Sequence, residues 1–413
     1  MKKNTSRIYS GSVLALSIAG VNVMIGYGLF IPFLPYYATL LGATLGLQIG
    51  AITSGFVISR GLTVTIFGKL SDRVGRRPII AMGLLIYAIS TLIFPFATHW
   101  THLILFRFLQ GIGGGMFWPA ATALIADIAR PGERGRALGF FNTWIMSGIV
   151  LGPALGGGLQ FYGYEVLGLT EIDSYRIPFY VGGAFAIISS IVAFIFVKDA
   201  PKDVSNIQSQ QILRHNISKP FRRTFKTILA VRFANGFALV FIQPVLALYI
   251  HEVLGFGRTD AVLWLAATFF VAGVAGAAVQ LPAGNLADKG GRKKIMLIGV
   301  LAAQFMTILI PSAGTIILIV ILMGLRSAFM GLYQPAALSI QEDIMPRHVR
   351  GKLTGFTELF WNMGAITGPL LGFALYDFFN TSFPFYLSAL IFTVSILIFT
   401  LFGKDPKVEE SEI

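Results

Sequence analysis

Gly68-Lys69-Leu70-Ser71-Asp72-Arg73-Val74-Gly75-Arg76-Arg77 is a charged stretch with a long apolar run on either side, and it occurs twice. Gly284-Asn285-Leu286-Ala287-Asp288-Lys289-Gly290-Gly291-Arg292-Lys293 repeats it 216 positions later, with Gly, Leu, Asp, Gly, Arg and a second base in register. The same offset relates Asp127 to Asp343. Because this period is far longer than that of a solenoid repeat, it indicates two duplicated halves.

The composition is that of a membrane protein. Mean hydropathy is +0.74 over 413 residues, with 55% hydrophobic and 12% charged residues, which excludes a set of soluble domains. A helix needs about 20 mostly apolar residues to cross the hydrocarbon core. We therefore predict an all-α membrane protein with twelve transmembrane helices, at 12–34, 48–70, 78–97, 103–126, 137–160, 177–197, 227–250, 261–283, 295–311, 315–341, 353–376 and 382–402.

The basic residues fall on one side of these spans. A formal charge of +13 could suggest a nucleic-acid partner, but alternate assignment from a cytoplasmic N-terminus places all but six of the 32 Lys and Arg in the cytoplasm. The positive-inside rule accounts for this distribution. We predict a multi-pass protein of the cell membrane with both termini cytoplasmic and no nucleic-acid partner. The exceptions are Arg60, Arg107, Arg232 and Arg326 in the membrane and Arg176 and Arg258 outside.

The duplication and the span count together define the domains. Six spans per half is an even number, so both halves enter the membrane in the same orientation and can be related by an axis along the membrane normal. We predict an N-terminal six-helix bundle at 1–200, a polar and basic cytoplasmic linker at 201–220, and a C-terminal six-helix bundle at 221–413.

Two further motifs accompany the charged stretch. Residues 107–111, Arg-Phe-Leu-Gln-Gly, match R-x-x-Q-G in the fourth span. The fifth span matches G-x-x-x-G-P-x-x-G-G at Gly148, Gly152, Pro153, Gly156 and Gly157. With G-x-L-x-D-R-x-G-R-R at 68–77, the chain resembles the major facilitator superfamily (MFS) and, within it, the twelve-span drug:proton antiporters.

The resemblance implies a secondary active transporter that works by alternating access, with proton-coupled efflux of amphipathic drug-like molecules as the favoured activity. Its partners would be a small-molecule substrate, protons and membrane lipid, with no obligate protein partner. No Walker sequence occurs, so a gradient rather than ATP is expected to drive transport, and we predict no cofactor, no metal site and no enzyme activity. An MFS carrier for an organic anion, sugar or lipid is the alternative; a channel or sensor is disfavoured.

The two charged stretches are predicted to act as conformational latches. Asp72 ends the second span, where a carboxylate can approach the positive N-terminus of a neighbouring helix, and the resemblance implies that this is the eleventh helix. The clusters would clasp the halves together on the inside in the outward-facing state; alternatively they only anchor orientation by positive charge. The predicted latch residues are Gly68, Asp72, Arg73, Gly75, Arg76, Arg77, Asp127, Gly284, Asp288, Arg292 and Asp343, with Arg76–Asp127 and Arg292–Asp343 as pairs.

One acidic residue is expected deep in the membrane. Of the 19 acidic residues, only Glu358 lies well inside a predicted span, which makes it the leading candidate for a proton carrier. A structural ion pair with Arg60 is the competing interpretation. Arg107 matches an arginine that the resemblance implicates in proton exchange. The first span lacks the carboxylate that many members carry there.

Amphipathic and glycine residues complete the candidate site. The glycine motif of the fifth span predicts close helix packing with a proline-induced kink, and a direct part in coupling is equally open. Deep cations outnumber deep anions, which keeps anionic substrates possible. The candidates for lining a substrate cavity are Tyr27, Gln110, Trp118, Asn142, Asn235, Phe237, Gln243, Arg326, Tyr333, Gln334 and Trp361.

Overall fold

The computed structural model describes residues 11–129, 133–199, 219–288, 291–345 and 350–403. Over these residues the chain folds into thirteen α-helices. They are α1 Gly11–Leu29, α2 Leu34–Leu40, α3 Gly46–Val74, α4 Arg76–Leu92, α5 Trp100–Ile128, α6 Arg134–Phe161, α7 Glu171–Phe196, α8 Lys219–Glu252, α9 Arg258–Asp288, α10 Arg292–Leu309, α11 Ile316–Ile344, α12 Arg350–Phe378 and α13 Phe383–Phe402.

The helices agree with the twelve predicted spans. Eleven helical segments of the described ranges are long and apolar enough to cross a membrane. The other long helix, α5, has 29 residues and carries Arg107 and Gln110 among its apolar residues. The predicted linker at 201–220 lies outside the described residues, apart from the first two residues of α8.

The first predicted span is wrong in one respect, because the helix does not continue to residue 34. It ends at Leu29, residues 30–33 form a turn, and α2 begins at Leu34. The turn contains Pro32 and precedes Pro35. Proline has no backbone N–H to donate and disfavours helical geometry in the residue before it, which explains the break.

The helices form two bundles with matching contacts. In the first half, α1 packs against α6 and α7, and α5 packs against α3 and α4. In the second half, α8 packs against α12 and α13, and α11 packs against α9 and α10. The bundles meet along two seams, α3 with α12 and α6 with α9. The structure therefore has the two pseudo-symmetric six-helix bundles that the repeat predicts.

Glycine allows the closest helix pairs to form. A Cβ on Gly148 would lie 2.6 Å from the Val21 carbonyl oxygen, and one on Gly364, at the 216 offset, would lie 2.0 Å from the Phe233 carbonyl oxygen. Both values are far below contact distance. The predicted packing role of the motif is therefore seen in the α1–α6 pair, and its echo is seen in the α8–α12 pair.

Candidate functional site

The two ends of the bundles differ in how they join. We call the end that carries Arg76 and Arg292 the motif end, and the other the opposite end. At the opposite end, hydrogen bonds join the two halves. The Tyr36 hydroxyl donates to the Ala247 carbonyl, and the Gly46 N–H donates to Asp377 Oδ2 at 2.7 Å. Burial raises the pKa of Tyr36 well above its usual range, so this phenol remains a neutral donor.

Further contacts extend this closure to the middle of the seams. Ser54 Oγ of α3 donates to the Ile366 carbonyl of α12 at 2.9 Å. A Cβ on Gly157 of α6 would lie only 2.5 Å from the Ala266 Cβ of α9. Beyond these points, toward the motif end, Asn142 and Glu358 are exposed. We infer that a cavity between the bundles opens at the motif end.

At the motif end, the predicted ion pairs form within each half. Arg76 Nε lies 2.8 Å from Asp127 Oδ2, and Arg292 NH1 lies 2.7 Å from Asp343 Oδ2. Both predicted pairings are confirmed. The Asp72 carboxylate lies 3.2 Å from Arg76 in its own half, with 63% of its side chain exposed.

A carboxylate that the motif does not include holds the start of α4. Gly75 adopts a φ of 114°, which favours glycine. Asp199 Oδ1 accepts hydrogen bonds from the backbone N–H groups of both Arg76 and Arg77, each at 2.8 Å. The Arg77 side chain donates to the Phe194 carbonyl. The end of α7 is thereby tied to the loop motif, and the sequence signal for it is an acid placed directly after the sixth span.

The remaining latch residues are two glycines, one arginine and one aspartate. A Cβ added at Gly68 would lie 3.9 Å from the Pro119 ring, whereas a Cβ added at Gly284 would meet nothing within 4 Å. Arg73 is exposed. The side chain of Asp288 lies outside the described part of the chain.

Glu358 pairs with a different arginine from the one expected. Glu358 Oε1 of α12 accepts from Arg232 NH2 of α8, within the same half. Arg60 of α3, the expected partner, lies within electrostatic range of Glu358 across the seam. Arg232 Nε is buried without a hydrogen-bond partner. Sequence analysis missed Arg232 as the partner because no local pattern of residues shows which helices pack against each other.

Arg107 is buried in an aromatic cage. Its guanidinium lies 4.2 Å from the Phe30 ring centroid, 5.7 Å from that of Tyr27 and 5.9 Å from that of Phe56. The side chain is 3% exposed and donates to Gln110 Oε1 at 3.4 Å. A cation over aromatic faces is stabilised by the ring quadrupoles.

A hydrogen bond deep in each half repeats at the 216 offset. Gln110 Nε2 donates to Thr91 Oγ1 at 2.8 Å, and Arg326 Nε donates to Thr307 Oγ1 at 3.1 Å. The two threonines keep the same offset as Gln110 and Arg326. The repeat could have revealed both threonines in advance.

The other cavity candidates fall into three groups. Trp361 Nε1 donates to Asn235 Oδ1 at 3.1 Å, between α12 and α8 of the second half, near Glu358. Phe237 and Tyr333 are buried in the core, Trp118 is half-buried, and Tyr27 is half-buried beside Arg107. Asn142 and Gln334 are exposed. The side chain of Gln243 lies outside the described residues.

Comparison with known proteins decides the family. The profile described as Major Facilitator Superfamily matches residues 16–289 and, again, 228–413. The chain belongs to the major facilitator superfamily. It is therefore a multi-pass membrane protein and a secondary active transporter rather than an enzyme.

Relatives of this MFS protein match it over more than nine-tenths of its length. Multidrug resistance protein 2 of Bacillus subtilis (strain 168) is 27% identical over 420 residues, covering 98% of each chain. Quinolone resistance protein NorA of Staphylococcus aureus is 27% identical over 385 residues, covering 91% of this chain and 92% of that one. A bacterial homolog of the human lysosomal transporter Spinster, in an inward-facing and unoccupied conformation, shares the fold with a TM-score of 0.78 at 17% identity over 97% of both chains.

The site of this MFS transporter places an ionisable carboxylate beside the seam between the bundles. Glu358 is 51% exposed as a side chain and its partner Arg232 is 18% exposed. Residues 358, 361, 362 and 365 share one face of α12 by helical spacing, and Trp361 and Ala365 of that face pack with the core of the first half. Glu358 therefore faces the first half from the cavity wall.

Proposed function

We propose that this MFS transporter exports amphipathic small molecules in exchange for protons, with the motif end in the cytoplasm. The orientation follows from the concentration of Lys and Arg at that end. Relatives that match over more than nine-tenths of the chain are multidrug and quinolone resistance proteins. In this orientation, closure at the opposite end corresponds to an inward-facing conformation.

The single observation that carries proton coupling is the Arg232–Glu358 pair on the cavity wall. Protonation of Glu358 would remove its charge and release Arg232, while a substrate that bonds to the carboxylate needs the ionised form. Proton and substrate would thus compete for one group, as an exchanger requires. Intramembrane ionisable groups are costly to keep, which favours a functional role.

The latch accounts for the opposite conformation. Asp72, now paired with Arg76, would turn to the N-terminus of α12 when the motif end closes, and Asp288 would act toward α6. A carboxylate at a helix N-terminus contributes about 0.3–1 kcal/mol, or up to about 2 kcal/mol when partly buried. Two such contacts together contribute about 0.6–2 kcal/mol, or up to about 4 kcal/mol when partly buried, which biases a two-state equilibrium by about threefold at the lower end and by more than tenfold at the upper end.

Transport in proteoliposomes tests the proposal. The vesicles hold the transporter with its motif end outward. A pH gradient with the vesicle interior acidic should drive accumulation of a fluorescent amphipathic dye inside them, as protons leave in exchange. Glu358→Gln cannot exchange a proton, so we expect gradient-driven accumulation to be lost while dye equilibration down its own gradient persists.

The matched control is Glu165→Gln, which removes an exposed carboxylate from the π-helical turn that follows α6 at the opposite end. It should transport as the unmodified protein does. Full gradient-driven accumulation by Glu358→Gln would remove Glu358 from the mechanism, and no accumulation by the unmodified protein would refute proton-driven export.

A carrier for an organic anion is the second candidate, favoured by the excess of cations in the spans. The spans contain one deep carboxylate, Glu358, and four arginines, namely Arg60, Arg107, Arg232 and Arg326. Exchange of a labelled organic anion that is unaffected by the pH gradient would select this function over drug export.

A further inference from the structure

An apolar groove of about 510 Å³ lies on the surface of the C-terminal bundle, where α8, α12 and α13 meet. It is separate from the cavity between the bundles. Its one hydroxyl, that of Ser395, donates to the Phe392 carbonyl of its own helix at 2.8 Å, so the lining offers nothing to a polar ligand. The lining residues that shape it are Ala230, Phe233 and Ala234 of α8, Phe360 of α12, and Leu390 and Ile398 of α13.

The groove does not follow from the duplicated fold. Ala230 and Ala234 are small, and the groove exists where their side chains leave space. The residues at the 216 offset in the first half are Leu14 and Ile18, which are large. The second half therefore has small side chains where the first half has large ones.

Two basic residues, Arg223 and Lys226, lie at the end of the groove nearest the motif end. Arg223 and Lys226 precede Ala230 on α8 with spacings of three and four residues, which places all three on one helix face. Both basic side chains are exposed. The Arg223 guanidinium lies 4.6 Å from the ring centroid of Phe402, at the end of α13. The apolar lining thus leads directly to two positive charges.

The dimensions match one lipid leaflet. From Leu390 to Phe402 is twelve residues, or about 18 Å along α13 at about 1.5 Å per residue. Half of the hydrocarbon core is about 15 Å thick. An acyl chain that lies along α13 therefore places its headgroup beside Arg223 and Lys226.

We propose that this groove binds one anionic phospholipid of the adjacent leaflet, with an acyl chain against Ala230 and Ala234 and the phosphate at Arg223 and Lys226. A free phosphate would engage the two bases but not the groove, and a second copy of the chain would fill the groove without needing the bases. The occupant is thus defined by both features together. The site is independent of what the central cavity transports.

Lipid binding to the purified, delipidated transporter in neutral detergent tests the proposal, with native mass spectrometry to count bound lipids. Phosphatidylglycerol should bind about thirtyfold more tightly than phosphatidylcholine of the same chains, because each of two bases near an anionic headgroup contributes about five- to sixfold. Arg223→Gln with Lys226→Gln should abolish this preference. Ala230→Leu should lower the binding affinity for both lipids by about tenfold, since the larger side chain occupies part of the groove.

The matched control is Arg136→Gln, which removes an exposed base of the motif end on α6 and should leave lipid binding unchanged. Unfolding temperatures of the lipid-free variants separate a misfolded protein from a lost site. Equal binding of the two lipids, or a preference that survives the double substitution, overturns the proposal. So does competition by inorganic phosphate that removes bound phosphatidylglycerol, or a dimer that forms on delipidation and blocks both lipids.

Discussion

Replacing Gly156 with alanine measures how much the α1–α6 pair depends on a bare backbone. A Cβ at this position would lie 1.7 Å from the Leu29 carbonyl oxygen and 2.5 Å from its carbonyl carbon, whereas ordinary contact begins at 3.4 Å. The helices must separate by about 1.7 Å, because these atoms belong to the backbone and cannot rotate away. Overpacking costs about 1–3 kcal/mol, and a clash with backbone atoms takes the upper end of about 3 kcal/mol, whereas alanine recovers about 1 kcal/mol of helix propensity. We expect a net loss of about 2 kcal/mol.

Thermal unfolding in detergent, followed by intrinsic fluorescence, is the assay. A loss of this size should lower the unfolding temperature by a few degrees, on the order of 2–4 °C per kcal/mol. Gly158→Ala is the control two positions away on the same helix, where an added Cβ meets nothing within 4 Å, and it should be neutral or slightly stabilising. Equal unfolding temperatures for the two variants would refute the packing argument.

Two further substitutions should shift the conformational equilibrium in opposite directions, as reported by labelling of a cysteine placed at Asn142 in this cysteine-free chain. Gly157→Ala adds a Cβ 2.5 Å from Ala266 across the seam, so it should destabilise the conformation in which the opposite end is closed. Labelling from the motif end should slow by about tenfold for each 1.4 kcal/mol by which that conformation is destabilised. Asp72→Asn removes the charge that the latch needs, so it should speed labelling, and an unchanged rate would contradict the latch.

Most of the helical architecture could be predicted because its cause is local. Each span must be apolar for about 20 residues to cross the membrane, so its position can be identified without knowing its neighbours. The break between Leu29 and Leu34 escaped detection because the apolar character continues through it, although Pro32 and Pro35 were there to indicate it.

The candidate site was predicted where the repeat carried information. Arg76–Asp127 and Arg292–Asp343 share one offset, and both pairs form. Glu358 has no acidic counterpart in the first half, because Asn142 occupies the equivalent position. Its partner could therefore not be inferred from symmetry, and the structure pairs it with Arg232 rather than with Arg60.

The sequence by itself determined the class of protein, the duplication and the positions of the spans, because hydropathy and a fixed offset are properties of the chain alone. Tertiary structure decided which surfaces meet. The Tyr36–Ala247 bond, the groove beside Ala230 and the Asp199 contact with α4 each join segments far apart in the chain. Such pairings depend on how helices pack, and no local pattern of residues specifies them.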